Sequence, residues 1–172
     1  MTGEARELLQ LPEGSSVVVT IGNSLRGDDG AGPYIAERLC TSERLAVFDA
    51  GTTPENYINK IIALSPACVL FIDAADFKGA AGEIRRIGRD EISDYAISTH
   101  SFPLRAVWEM IALSADAEIR LLGIQPLDVR LKEGLSDEVR RAADEIIAFL
   151  NRQSKTKNQS NTGIRQGRRC LF

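Results

Sequence analysis

Cys68-Val69-Leu70-Phe71-Ile72 is an unbroken apolar run that stops at Asp73. Such a run is what a strand shows when both faces of its sheet are covered, so the chain calls for helices on either side of a parallel sheet. The flanking segments supply them. Residues 16–21 form a short β-branched run closed by Gly22-Asn23, a buried-strand pattern with a turn behind it. After a glycine-rich loop, residues 33–39 read as a helix with Pro33 at its first position. Residues 45–48 give a second strand closed by Asp49-Ala50-Gly51-Thr52-Thr53, and residues 54–64 carry a helical stripe at Ile58, Ile61, Ile62 and Leu64.

Glu83-Ile84-Arg85-Arg86-Ile87 alternates polar and apolar positions and follows the third strand through a loop too short for a helical crossover. It reads as an antiparallel strand near a sheet edge. A helix over 103–113, a strand over 119–124 and a closing helix over 137–150 complete the order β-α-β-α-β-β-α-β-α. The expected fold is a three-layer α/β/α sandwich around a five-stranded mixed sheet, mostly parallel with one antiparallel strand.

A chain of 172 residues with 44% hydrophobic composition can bury the core of one domain, taken here as 1–150. Within it, 24 acids against 15 bases leave a charge of −9, which argues against a nucleic-acid partner. Residues 151–172 carry six bases and no acid, for +6, and read as a basic, polar, disordered tail. Segment 1–10 lacks a secretory pattern, and no apolar run approaches the length of a membrane helix. Cys40, Cys68 and Cys170 form no CxxC pair. The expectation is a cytoplasmic monomer with no membrane partner.

In a sheet of this kind the functional crevice lies outside the carboxyl ends of the parallel strands. The first strand delivers Gly22-Asn23-Ser24-Leu25-Arg26-Gly27-Asp28-Asp29-Gly30-Ala31-Gly32 there. The second delivers Asp49, Gly51 and Thr52, the third Asp73, and the last Gln125-Pro126. His100, the chain's single histidine, opens the helix that leads to the last strand. Carboxylates gathered in one crevice repel unless a proton or a cation joins them, and two carboxylates plus an imidazole suit a first-row metal. Against this stands a plainer reading for each acid alone: Asp28 or Asp29 capping the helix near Pro33, and Asp49 capping turn amides.

The glycine loop is neither a P-loop nor a dinucleotide fingerprint, there is no G-x-S-x-G elbow, and one histidine cannot make HExxH. A receiver-like phosphoacceptor module shares the placement of acids, but Gln125 stands where a receiver has lysine. That signalling module, or a non-cleaving assembly chaperone, is the alternative to an enzyme.

The glycine loop with Pro33, Asp49-Ala50-Gly51-Thr52-Thr53-Pro54-Glu55-Asn56, Ile72-Asp73-Ala74-Ala75-Asp76, Thr99-His100 and Gly123-Ile124-Gln125-Pro126 together resemble the [NiFe]-hydrogenase maturation endopeptidases. The branch most similar is the one that processes the formate-hydrogenlyase hydrogenase. The resemblance spans 17–150 in order. It implies a peptidase that removes the C-terminal extension of a hydrogenase large-subunit precursor after nickel insertion, the nickel being supplied by the substrate. It implies a metal-contacting trio of Asp29, Asp73 and His100, with no separate catalytic residue assigned. Asp49 matches a further aspartate beside the cleft, which Gly51, Thr52 and Gln125 line. Ala50 stands where the family often has glycine, acceptable if its backbone is not left-handed.

Overall fold

The computed structural model of the protein describes residues 2–92, 96–97 and 104–156. Along them run α1 (Gly3–Leu9), β1 (Ser16–Thr20), α2 (Ala31–Arg38), β2 (Leu45–Asp49), α3 (Ile58–Ala63), β3 (Cys68–Asp76), β4 (Ile84–Ile87), β5 (Ala96–Ile97), α4 (Leu104–Ser114), β6 (Glu118–Ile124) and α5 (Asp137–Thr156). Five strands form the body of the sheet in the order β2-β1-β3-β6-β4. The first four are parallel, and β4 joins the edge antiparallel to β6, as its alternating sequence requires. β5 adds a two-residue antiparallel pairing, Ala75 with Ile97 and Asp76 with Ala96, at the far end of β3.

Side-chain alternation along the central strands divides the core in two. Val18, Leu70 and Ile72 pack under α1, α2 and α5, where Leu9, Ile35, Val139, Ile146 and Leu150 are fully buried. Val17, Val19, Val69 and Phe71 face the opposite layer, built from Ile58 and Ile61 of α3 and Leu104, Val107 and Ile111 of α4. The chain steps from β1 outward to β2 and then back past β1 to β3. The sheet therefore reverses direction between β1 and β3, which makes their carboxyl ends the switch point.

Several boundaries differ from the sequence reading, each for a physical reason. β3 continues beyond the apolar run through Asp76, because β6 pairs with it as far as Ala74 and β5 takes over at Ala75. Pro33 is the third residue of α2, still within the turn whose amides lack helical partners. Residues 54–57 form a 3-10 turn before α3. α1, capped by the Thr2 hydroxyl on the Ala5 amide, was not expected. α5 extends six residues past position 150, where the polar tail was expected to begin. Its amide side chains there end other helices: Asn151 bonds the Cys40 amide (2.8 Å) and the Arg38 carbonyl (3.1 Å). Gln153 does the same for the Leu11 amide (3.0 Å) and the Leu9 carbonyl (2.8 Å). The rest of that tail, 157–172, lies outside the described residues.

Candidate active site

Backbone bonds stitch the rim of the switch point together. The Ile21 amide donates to the Ile72 carbonyl, Gly22 to Gly51, and Ala50 to Thr20, each at 2.9 Å. The glycine loop then folds back on itself. The Asn23 amide reaches both the Asp29 carbonyl (3.1 Å) and its Oδ2 (3.0 Å). This return needs glycine at two places. Gly22 has φ +140°, and a Cβ there would lie 1.9 Å from the Asp29 carbonyl oxygen. A Cβ on Gly32 would lie 2.0 Å from the Ile21 carbonyl oxygen, so the start of α2 is pressed directly against the end of β1.

The adjacent acids Asp28 and Asp29 have different surroundings. Asp28 has no exposed surface, and its carboxylate accepts four hydrogen bonds. They come from the amides of Leu127 (2.8 Å), Asp128 (3.0 Å) and Ser136 (2.6 Å) and from the Ser136 hydroxyl (3.0 Å). It therefore caps, but it caps the segment between β6 and α5 and not the helix near Pro33, which has no side-chain cap. Asp29, 4% exposed, faces the loop's own interior.

Asp73 is fully buried. It does not end β3, as the sequence suggested, but lies within it opposite Gly123 of β6, one position past the last β1–β3 pair at Thr20 and Ile72. Strand alternation puts its side chain on the face of Phe71 and Ala75, the face covered by α3 and α4. Two carboxylates, one from the loop after β1 and one within β3, are thus held out of water at the switch point. Burial of this kind is costly for an anion and favours association with a cation. Among the described residues, no three His, Cys, Asp or Glu side chains cluster to hold a metal. His100, the third member of the expected trio, lies outside the described residues.

The expected cleft residues divide similarly. Asp49 is exposed, and its Oδ1 accepts from the Gly51 amide (3.1 Å), the turn-capping role that was the plainer reading. Thr52 is half-buried in the same turn. Ala50 is buried and does not adopt the left-handed backbone, so its departure from glycine is accommodated. Gln125 is 6% exposed and fully engaged within the chain. Its Oε1 accepts from the Phe77 (2.9 Å) and Gly79 (3.1 Å) amides, while Nε2 donates to Asp76 Oδ1 (3.0 Å) and the Pro126 carbonyl (3.1 Å). With both acceptor and both donor positions filled, its amide positions the turn after β3.

Asp76, part of the motif but given no role of its own by the sequence, shares that turn. Its Oδ2 meets Lys78 Nζ at 2.6 Å, and the Lys78 ammonium, then the Gln125 amide, lower its pKa to about 2. Burial raises the Cys68 thiol to about 11, which marks it as an inert core residue. The signal for Ser136 was available: a serine directly before Asp137-Glu138 is a helix-start pattern.

A mixed α/β sandwich with two buried acids at its switch point defines a class that the relatives make specific. The sequence model of the HycI hydrogenase maturation protease family matches residues 33–153. The hydrogenase 3 maturation protease of Escherichia coli K12 is 34% identical over 139 residues, covering 79% of this chain and 88% of that protein. The crystal structure of the [NiFe] hydrogenase maturation protease HycI from Thermococcus kodakarensis superposes with a TM-score of 0.78 at 31% identity, covering 87% and 97% of the two chains. The solution structure of the endopeptidase HycI from Escherichia coli gives 0.72 at 33%, covering 80% and 89%.

The chain belongs to the hydrogenase maturation protease family and is a peptide hydrolase. The receiver-like alternative falls with that membership. No helix among the described residues is long and apolar enough to cross a membrane.

Proposed function

We propose that this protease removes the C-terminal extension of a [NiFe]-hydrogenase large-subunit precursor once that precursor carries nickel, and that Asp29, Asp73 and His100 contact the substrate's nickel. The observation that carries the reading is the burial of two carboxylates at the switch point, Asp29 of the loop after β1 at 4% exposure and Asp73 of β3 at 0%. Carboxylates placed there are suited to contact a cation that arrives with the substrate. The register of β5 on β3 supports the third member. His100 is three steps along the chain from Ile97, about 11 Å at full extension, and Ile97 pairs with Ala75, two residues from Asp73.

In this scheme the protease has little nickel affinity of its own, and docking of a loaded precursor completes the ligand set. Nickel then serves as the sign of a finished metal centre and holds the scissile peptide at the rim. The aspartyl character of the enzyme lies in this trio, with water as the attacking group and no catalytic side chain assigned beyond the three.

The test is incubation of nickel-loaded and nickel-free precursor with the protein, followed by intact mass. Shortening of the loaded form alone is expected. Cleavage of both forms equally would remove the nickel role, and cleavage of neither, with the two proteins associated, would favour the assembly chaperone.

A further inference from the structure

The segment 126–136 after β6 takes no part in the site above, yet it is tied to the glycine loop along its length. Besides the four bonds to Asp28, Gly27 donates to the Lys132 carbonyl (2.7 Å), Lys132 to the Leu25 carbonyl (3.0 Å) and Asp28 to the Asp128 carbonyl (2.9 Å). Arg26 Nε reaches the Val129 carbonyl at 3.3 Å. A loop held this firmly is expected to turn its apolar side chains inward. This one presents them to solvent: Leu127 is 64% exposed, Val129 39% and Leu131 84%, with Leu25 of the glycine loop at 54%. They are four of the seven exposed large apolar side chains among the described residues. The Lys132–Leu25 bond joins the two segments that carry them into one ridge.

The charge around the ridge runs against the acidic body. Arg26, Arg130 and Lys132 outnumber Asp128 and Glu133 along it, and Asp128 is held by both Arg130 (2.8 Å) and Lys132 (3.2 Å). Arg26 makes its bond to a carbonyl, not a carboxylate, so its charge is available to a partner. A rigid apolar strip bordered by cations fits a folded protein surface that offers apolar side chains flanked by acids.

We propose that this ridge is a docking surface for the body of the large-subunit precursor, separate from the residues that contact its nickel. The inference rests on the substrate assigned under the proposed function. Its basis is continuity: the loop that carries Leu25 and Arg26 carries Asp29 as well. A precursor seated on the ridge is therefore anchored to the same rigid unit that positions the nickel-contacting carboxylate. Remote contacts of this kind bring the scissile chain into register without touching the chemistry.

The test combines the triple variant Leu127→Ser/Val129→Ser/Leu131→Ser with the single variant Leu131→Lys. Thermal melts check that both fold, and biolayer interferometry measures binding to purified nickel-loaded precursor. The expected result is a Kd at least tenfold weaker for the triple variant, with a raised KM and a near-normal kcat. An unchanged Kd in both variants overturns the proposal. So does a wild-type dimer, seen by sedimentation, that the triple variant dissolves, because a second copy would then cover the ridge. Failure of the wild type to bind precursor overturns it as well. Ridge-dependent binding without any cleavage upholds the docking surface while removing the proposed proteolysis.

Discussion

Asp28→Ala separates the structural acid from its neighbour Asp29, the acid proposed to contact nickel. The substitution removes a fully buried carboxylate that accepts from three amides and one hydroxyl, tying the glycine loop to the segment before α5. Hydrogen bonds to a charged group contribute about 1.5–3 kcal/mol each, but four that share one acceptor do not add. The donors are only partly buried, so water recovers some of them. A loss of about 3–5 kcal/mol is therefore expected, similar to breaking a buried charged pair. For a domain of this size each kcal/mol moves the melting temperature by about 2–4 °C, which places the shift at about 6–20 °C. Asp29→Asn provides the contrast: a melt within a few degrees of wild type, together with loss of precursor cleavage. Differential scanning calorimetry on the two variants, with a cleavage assay below both melting temperatures, reads the difference. An Asp28→Ala protein that melts within about 2 °C of wild type would refute the structural assignment of this acid.

Other outcomes follow from the same geometry. Gly32→Ala places a Cβ 2.0 Å from the Ile21 carbonyl oxygen, so urea titration should show a loss of about 2 kcal/mol or more, or no folded protein. Gln125→Leu removes the acceptor shared by Phe77 and Gly79 and should cost about 2–4 kcal/mol, with faster amide exchange at both positions. Asp76, lowered to about 2, contributes stability that is fully present above the ordinary aspartate range and disappears as pH falls through about 2. Asp76→Asn should therefore flatten the acid limb of the stability–pH curve below about pH 4 and reduce the neutral-pH melt only slightly, since the carboxylate is partly exposed. His100→Ala should leave the melt unchanged and abolish processing of loaded precursor.

The arrangement of the sheet was legible because its signals are local. An unbroken apolar run marked β3 as central, and alternation over 83–87 marked β4 as an antiparallel edge. What escaped the sequence depends on distant partners. Asn151 and Gln153 look like tail residues until the ends of α1 and α2 are beside them. Asp28 and Asp29 are indistinguishable by composition, and only the segment 127–136, about 100 positions away, marks Asp28 as the cap and leaves Asp29 as the acid proposed for the site. Asp73 was read as the end of its strand because hydrophobicity stops there, whereas pairing with β6 carries the strand past it. Gln125 sat at the right rim, but its four hydrogen bonds could not be read from its position.

X-ray absorption at the nickel edge tests most directly whether the carboxylates and His100 meet the substrate's metal. Spectra would be compared for loaded precursor alone, with the wild-type protease and with His100→Ala, each mixture frozen before turnover. Added oxygen and nitrogen ligation in the wild-type mixture, reduced in the variant, is the predicted result. A nickel spectrum unchanged by the wild-type protein, under conditions where the two proteins associate and cleavage follows, would contradict the account.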